Sequence, residues 1–435
     1  MKRTIFGLAT FWLALAMQAQ ASPLRPHIAL TSPPGTTSPG MRVVIPPRAN
    51  ASVSASQSSS ASLPCSRAAD VTPALLQSIA RGSTHTGGGC IRTPLVVDGV
   101  LRLGAGVYQV VQPIAVKSRG SIVGTGWNSI IAESSAAGQF VVIVGSEAFG
   151  GAFGTNSNIT LRNFKIIGAT TAFNSAPQTV QLGNCVGCLV DGLWLDRTHT
   201  IGIQLGGAAS NGNYARDSKI TNCLLTHVAS QGIAVVNGEN IEISANRILR
   251  PGQKGGPGNS SIDLEVNTPD DRLINIKVIN NTIDHRESEM IGPTGNGIIA
   301  NSGDTPRVSG ILIDSNTVIG GDIGPPVIGH LSNGIMVFGK HMSGTRVTRN
   351  KISRTGQTGI WLSGKNLVCE DNTMDSVGGG GVAGFRVDTV SNSLIRRNSL
   401  TCTGGPCDER MEIIGASVGN TIAENRGWSI TPASR

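Results

Sequence analysis

A six-residue pattern, apolar-x-x-Asn-x-apolar, recurs along the C-terminal half of the chain. It reads ISANRI, VINNTI, IDSNTV, VTRNKI, CEDNTM, IRRNSL and IAENRG, with Asn at positions 246, 281, 316, 350, 372, 398 and 425. Earlier copies hold Phe164, Leu193 and Cys223 at the Asn position, and successive copies are 22 to 35 residues apart. Short alternating apolar segments, broken by Gly, Asn or Asp, lie between the copies. A period of this length without a long helical pattern predicts a solenoid of short strands.

The recurring Asn predicts a ladder of side chains along the solenoid. Units this short cannot bury their own apolar face, so they must stack on one another. Stacking brings equivalent residues about 4.8 Å apart, which is the spacing of neighbouring strands. Side-chain amides at that distance can hydrogen-bond from coil to coil, which explains why a poor strand former recurs at an inward turn.

The coils resemble those of the right-handed parallel β-helix proteins of the pectate-lyase-like superfamily, over about residues 65–430. The segment DVTPALLQSIAR (70–81) looks like the helix that caps the first coil in that superfamily, and residues 101–132 look like its opening coils. The resemblance implies an all-β fold, a right-handed single-stranded parallel β-helix with a short N-terminal capping helix. The superfamily includes lyases, hydrolases, epimerases and non-catalytic surface proteins. The Asp-Pro-His-Asp motif of the alginate epimerases and the motif set of the polygalacturonases are absent, so no specific enzyme family is implied.

The N-terminal region predicts export. Residues 1–21 combine two basic residues, a short apolar run and the small-residue pattern Ala19-Gln20-Ala21, which is typical of a cleavable signal peptide. Residues 22–62 are rich in Pro, Ser, Thr and Ala and predict a disordered linker. Residues 63–435 then form the β-helix domain. We expect a secreted or periplasmic protein without a membrane span.

The charge of the chain narrows the class of partner. The formal net charge is +8, and a modest basic excess on an exported protein favours an anionic partner such as an acidic polysaccharide. The positive residues are dispersed and no nucleic-acid-binding motif is present, so nucleic acid is not expected as a partner.

The eight cysteines fit an oxidising compartment. We expect disulfides that close loops between Cys65 and Cys90 and between Cys402 and Cys407. Cys223 and Cys369 occupy apolar positions, where buried thiols are equally expected. The CVGC segment at 185–188 has no second metal-binding half-site, so we assign it a structural role.

A column of basic side chains lies four residues after the Asn position. Six consecutive coils place there Arg197, His227, Arg250, His285, Gly320 and Arg354. Cations about 4.8 Å apart repel by roughly 1 kcal/mol in water, and by several-fold more when they are partly desolvated. Such a column favours an anion lying along it, with Asp196 and Asp284 as partial compensation. The alternative is a row of solvated turn residues, and the sequence leaves both interpretations open.

One strand carries two acids on its outward face. The equivalent strands align on inward isoleucines at positions 203, 233, 262, 298, 335 and 360, and alternation turns the next residue outward. The first outward column reads Gln204, Ala234, Asp263, Ile299, Met336 and Trp361, and the second reads Gly206, Val236, Glu265, Asn301, Phe338 and Ser363. Acids beside aromatic side chains predict a sugar site, because sugar rings stack on aromatic rings while carboxylates bind hydroxyls or transfer protons.

Three adjacent coils carry long connections between the basic column and this strand. The other three aligned coils use six residues there, whereas these three use 12, 13 and 15. The loops add Lys254, Glu287, Glu289 and His330. Adjacent insertions over a rigid scaffold are typical of a binding cleft, and the alternative is drift in surface loops.

Three functions are compatible with this pattern, and the favoured one is a polysaccharide lyase acting on an acidic glycan. In a lyase, Arg250 or Arg286 would neutralise a uronate carboxylate. His227 or His285 would abstract the C5 proton. Asp263 and Glu265 would orient that base or hold a Ca²⁺ ion.

The second function is a glycoside hydrolase or transferase in which Asp263 and Glu265 perform the chemistry. The third is a non-catalytic glycan-binding surface protein. The side chains expected to contact the substrate are Arg197, Arg286, Met336, Phe338, Arg354 and Trp361.

Overall fold

The computed structural model describes most of the chain from residue 65 onward. The described residues are 65, 68–134, 140–147, 155–169, 178–207, 212–251, 259–286, 295–321 and 333–432. They belong to one compact unit, Ala61–Arg435. The signal peptide and the linker lie outside the described residues and stay predictions. None of the described segments forms an apolar helix of bilayer-spanning length.

The described chain consists of one helix and many short strands. The helix is α1, Thr72–Arg81. The first strands are β1 Thr84–His85, β2 Gly89–Ile91, β3 Leu95–Val97, β4 Val100–Leu103, β5 Gly106–Val110, β6 Ile114–Val116, β7 Ser121–Gly124, β8 Ser129–Glu133, β9 Ile143–Gly145, β10 Thr160–Arg162, β11 Lys165–Ile167, β12 Val180–Gln181, β13 Leu189–Asp191 and β14 Trp194–Thr198. The central strands are β15 Ile201–Leu205, β16 Ala215–Arg216, β17 Lys219–Thr221, β18 Leu224–Val228, β19 Gln231–Val235, β20 Gly238–Glu239, β21 Glu242–Ser244, β22 Arg247–Pro251, β23 Asn259–Glu265, β24 Leu273–Ile274, β25 Lys277–Ile279, β26 Thr282–Asp284, β27 Gly295–Asn301 and β28 Val308–Ser309. The last strands are β29 Leu312–Asp314, β30 Thr317–Ile319, β31 Asn333–Phe338, β32 Arg346–Thr348, β33 Lys351–Ser353, β34 Ile360–Lys365, β35 Val368–Glu370, β36 Thr373–Asp375, β37 Phe385–Ser391, β38 Leu394–Arg396, β39 Ser399–Thr401, β40 Arg410–Ile414, β41 Thr421–Ala423 and β42 Ser429–Pro432.

The strands form three long parallel sheets. Sheet 1 has the order β1-β4-β7-β10-β13-β17-β21-β25-β29-β32-β35-β38-β41, and sheet 2 has the order β2-β5-β8-β11-β14-β18-β22-β26-β30-β33-β36-β39. Sheet 3 has the order β3-β6-β9-β12-β15-β19-β23-β27-β31-β34-β37-β40-β42, and four two-residue strands form a small extra sheet, β16-β20-β24-β28. Each coil therefore adds one strand to each long sheet, which is the predicted parallel β-helix. Crossovers between parallel strands are right-handed in nearly all proteins.

The interior is filled by the inward side chains of the three sheets. The six aligned isoleucines of sheet 3, at positions 203, 233, 262, 298, 335 and 360, have no solvent exposure. They belong to one continuous apolar cluster that runs along the described coils. Burial of this stripe by stacking is the main stabilising contribution that a single coil could not supply.

The Asn ladder forms as the repeat predicts. From Asn246 to Asn398, the backbone N–H and the side-chain amide of each Asn donate to the Oδ1 of the Asn in the next coil, at 2.8–3.1 Å, and the ladder ends at Asn425. Cys223 continues the ladder at its N-terminal end, where its N–H donates to Asn246. The residue before each ladder Asn has a left-handed backbone with φ of 54–60°, as at Ala245 and Ser315. The ladder offsets the strain of about 1–2 kcal/mol that this conformation costs a non-glycine residue.

The N-terminal cap and the cysteines also match the sequence-based expectations. Helix α1 lies within the predicted segment 70–81, ends at Gly82 with φ 65° and buries Leu75 against the first coil. The disulfides Cys65–Cys90, Cys185–Cys188 and Cys402–Cys407 are present. Cys223 and Cys369 are buried free thiols.

Candidate functional site

The outward columns of sheet 3 have the predicted register. Asp263 pairs with Ala234 on one side and Ile299 on the other. The column then continues to Met336 and Trp361. The neighbouring residues Ile262 and Leu264 point into the core with no exposure. Asp263 therefore points to the outer face of strand β23, and it is not part of the interior packing.

Asp263 is covered on that outer face. Its residue exposure is only 4%, and its Oδ2 accepts a hydrogen bond from the side-chain amide of Gln231. Its Oδ1 has no hydrogen-bond partner among the described residues. Burial, and secondly the charge of Glu265, hold the pKa of Asp263 well above its ordinary value of 3.8.

Glu265 is the half-buried member of the pair. It lies two residues further along β23 and pairs in register with Asn301. Burial raises the pKa of Glu265 above its ordinary value of 4.5, while a hydrogen bond from the Asn301 side chain opposes that rise. The two carboxyls therefore release their protons at a higher pH than isolated acids do, and the pair can supply both an acid and a base.

We expect Asp263→Asn to raise Tm near neutral pH. Because the folded-state pKa is raised, the acid's contribution to stability is fully present below its unfolded pKa and is lost as pH rises through the folded pKa. Asn does not titrate, so the Tm difference should appear around pH 7 and vanish near pH 4. Thermal denaturation across this range measures it, with the exposed Asp270→Asn as control. A variant no more stable than the wild-type protein at any pH would contradict the burial of an ionisable group.

The basic column turns outward in four coils where sheets 2 and 3 meet. Arg197, His227, Arg250 and Arg354 share a left-handed backbone with φ of 53–59°. The Oδ1 of Asp196 lies 2.9 Å from the Nδ1 of His227. That carboxylate therefore fixes the orientation of the ring, and Nε2 is the ring nitrogen that faces Arg250. The Nε2 lies 3.4 Å from an Arg250 guanidinium nitrogen. Asp196 thus compensates the column, as expected from the sequence, whereas Asp284 bonds Arg286, the residue after the column.

The column departs from this arrangement at His285. That residue does not share the left-handed conformation, and its side chain is buried with Nε2 2.9 Å from the hydroxyl of Ser261. The exposed Arg286 is held by Asp284 through three hydrogen bonds of its guanidinium. Arg354 donates to the Gly321 carbonyl at 2.7 Å. The structure therefore brings His227 and Arg250 together, whereas His285 is buried beside Ser261.

The aromatic residues lie further along the outer face of sheet 3. Phe338 and Trp361 meet edge to face, with ring centroids 5.7 Å apart. Arg386 lies over the ring of Trp361 at 4.5 Å and forms an ion pair with Glu412 at 3.3 Å. Trp361 lies on strand β34, three strands beyond the strand that holds Asp263. The two residues are therefore about 14 Å apart along the axis of the solenoid.

Sequence reasoning missed two residues of this surface. Arg386 extends the first outward column by one coil, since it pairs in register with Trp361, and continuing the alignment would have found it. Gln231 begins strand β19, and its contact with Asp263 crosses from one coil to the next. No local pattern indicates that contact.

The three long connections fall mostly in residues 252–258, 287–294 and 322–332, which lie outside the described residues. The predictions for Lys254, Glu287, Glu289 and His330 lie there too, and the predicted cleft stays a prediction.

The described residues do not complete the Ca²⁺ site predicted at Asp263 and Glu265. Ca²⁺ takes about 6–8 oxygen ligands, and no third His, Cys, Asp or Glu among the described residues lies within ligand distance of the pair. One oxygen of Asp263 already accepts from Gln231. The Ca²⁺ site therefore stays a prediction, and no catalytic step is assigned to the ion.

Comparison with known proteins identifies the fold. No protein-family model matches the chain, and no curated protein sequence matches it. Among solved structures, a variant of the periplasmic alginate epimerase AlgG aligns with TM-score 0.52 and 13% identity, over 79% of this chain and 85% of that one. The chain is a right-handed parallel β-helix.

Two further β-helix structures are similar at the same level. The Streptococcus pneumoniae surface protein and adhesin PfbA aligns with TM-score 0.53 and 12% identity, over 77% of this chain and 90% of that one. A tailspike protein of E. coli bacteriophage HK620, in complex with a pentasaccharide, aligns with TM-score 0.50 and 12% identity, over 81% of this chain and 62% of that one. At these identities the likeness establishes the fold alone.

Proposed function

We propose that this β-helix protein is a glycan-cleaving hydrolase that uses Asp263 and Glu265. The observation that carries the proposal is the desolvated pair of carboxyls on the outer face of β23, each with a raised pKa. A glycosidase needs one carboxylic acid that keeps its proton near neutral pH and a second that acts as base or nucleophile. Burial separates the two roles, because Asp263 is the more desolvated of the two.

Asp263 is assigned as the general acid. A glycan that displaces the groups covering Asp263 would receive a proton from its Oδ1 on the glycosidic oxygen, as the bond from that oxygen to the anomeric carbon breaks. Glu265 would take a proton from the water that adds to the anomeric carbon. Alternatively, Glu265 would attack that carbon itself, and a water deprotonated by Asp263 would then displace it and release the sugar. Residues two apart on a strand are about 6.5–7 Å apart at Cα, and flexible carboxyls at that spacing suit either route.

The aromatic residues give the direction in which the glycan lies. Phe338 and Trp361 follow the acids along the same outer face, on strands further along the axis. A chain bound across these strands would stack sugar rings on the aromatic pair while the acids face one linkage. The tailspike whose structure holds a pentasaccharide shares this fold, and that supports a glycan as the ligand class.

Product analysis tests the proposed function. The purified protein is incubated with a panel containing alginate, polygalacturonate, hyaluronan and neutral glucans, and reducing ends and ultraviolet absorbance are both followed. New reducing ends without the absorbance of unsaturated sugars support the hydrolase. Binding to a panel member without any product would contradict it and favour the non-catalytic alternative.

A lyase is the second candidate, because Asp196, His227 and Arg250, where sheets 2 and 3 meet, form an oriented base. Asp196 fixes His227 with Nε2 beside Arg250. A uronate carboxylate would pair with Arg250 and leave Nε2 to accept the C5 proton. As the C4–O bond breaks and a C4–C5 double bond forms, the leaving oxygen would take a proton from the protonated His227 or from water. Unsaturated ends that disappear in His227→Ala and persist in Glu265→Gln would favour this candidate over the hydrolase.

A further inference from the structure

Two tryptophans and a lysine form a cluster on the N-terminal coils, around sheet 2. Trp127 and Trp194 meet edge to face with centroids 5.4 Å apart. The ammonium of Lys165 lies 3.4 Å from the centroid of the Trp194 ring, so one face of that ring is occupied by a cation. Lys165 and Trp194 are partners in register on strands β11 and β14.

Trp127 is the exposed member, and its orientation is fixed. Its residue exposure is 45%, although indole rings are usually largely buried. The indole N–H donates to the Gly192 carbonyl at 2.9 Å, in the turn that precedes Trp194. Trp127 therefore presents apolar ring surface to solvent without losing its polar contact, and little side-chain entropy remains to be lost on binding.

The charge beside the cluster is positive. Lys165 lies 3.6 Å from Asp196, and Arg197 lies 4.0 Å from the same carboxylate with 55% of its side chain exposed. Two cations therefore share one carboxylate, which also accepts from Thr226 and bonds His227. Thr226 in turn accepts the indole N–H of Trp194 at 2.9 Å, so the ring and the charged groups form one connected network.

We propose that Trp127, Lys165, Trp194 and Arg197, here called the tryptophan platform, bind a segment of an anionic polysaccharide. A sugar ring would stack on Trp127, and a carboxylate or sulfate on the chain would pair with Arg197. Trp194 and Arg197 lie three residues apart on β14, so the ring and the guanidinium can face neighbouring sugars of one chain. The excess of positive charge selects an acidic chain over a neutral one.

The platform is separate from the acid pair. Asp263 and Glu265 lie on sheet 3, whereas Lys165, Trp194 and Arg197 belong to strands of sheet 2 and Trp127 to the turn that leads into it. Binding at the platform would hold the protein on a polymer while cleavage takes place elsewhere on the molecule. The inference goes beyond the proposed hydrolase and stands whether or not Asp263 and Glu265 cleave a glycan.

Affinity electrophoresis with the Glu265→Gln protein tests the platform without substrate loss. Native gels contain alginate, polygalacturonate or, as the neutral probe, dextran. We expect the two acidic polymers to retard the protein and dextran to leave it unaffected. Adding Trp127→Ala should weaken the retardation by at least about fivefold, as expected for an aromatic anchor, and Trp127→Phe should retain most of it.

Leu76→Ala is the matched control, because Leu76 on α1 is also 45% exposed and should not affect retardation. With the acids intact, Trp127→Ala should leave turnover of short soluble oligosaccharides unchanged. Retardation that Trp127→Ala leaves intact, or equal retardation by dextran, would overturn the platform. Loss of cleavage in Glu265→Gln with retardation retained supports both proposals, and unaltered cleavage there would count against the hydrolase alone.

Discussion

Glu265→Gln and Asp263→Asn should each lower kcat on the responsive glycan by about 10²- to 10⁴-fold, the usual contribution of a positioned acid or base. Each change keeps the shape of the side chain and removes the proton that it exchanges. Initial rates of reducing-end release on the substrate found by product analysis measure the effect.

The matched control for these variants is Asp270→Asn. Asp270 is an exposed acid shortly after the same strand, and its replacement should leave the rate unchanged. Gln231→Leu should have an intermediate effect, since it removes the hydrogen bond to Asp263 without removing either acid. Its kcat should fall and its pH–rate profile should shift. Full turnover by both acid variants would refute the catalytic assignment.

Asn316→Ala should destabilise the protein by about 3 kcal/mol or more, since each buried polar group left without a partner costs about 1–3 kcal/mol. The Asn316 side chain is fully buried. Its Oδ1 accepts the backbone and side-chain N–H groups of Asn281, and its Nδ2 donates to Val278 and Asn350. Denaturant unfolding followed by circular dichroism measures the loss.

The end of the same ladder supplies the control. Asn425 occupies the equivalent turn but is half-exposed, so water can replace part of what its amide provides. Asn425→Ala should therefore cost clearly less than Asn316→Ala. Equal losses at the two positions would mean that the cost comes from the turn conformation and not from the buried amide ladder.

Much of the fold and part of the site follow from local sequence patterns. The Asn repeat predicts both the coil and the ladder, because stacking leaves equivalent residues only one strand spacing apart. Alternation around the inward isoleucines predicts that Asp263 shares a column with Met336 and Trp361, and the register confirms it. The two loop disulfides were expected from the positions of their cysteines, whereas the capping helix was expected from the resemblance to known β-helix proteins.

The side-chain partners of the site did not follow from the sequence. His227 and His285 occupy equivalent positions of the repeat, yet one bonds Asp196 and the other is buried beside Ser261. The difference arises from the backbone conformation at the turn, which is left-handed at His227 and not at His285. A single sequence does not encode that choice in any local pattern.

The sequence by itself determined the coil, its register and the outward direction of Asp263 and Glu265, because alternation and repetition act over a few neighbouring residues. Only the tertiary structure decided that Gln231 bonds Asp263, that His227 bonds Asp196 and that Lys165 covers Trp194. Each of those contacts joins adjacent coils, about thirty residues apart in the chain. Side-chain direction and desolvation at such contacts depend on how the coils stack, and they exist only after the solenoid has formed.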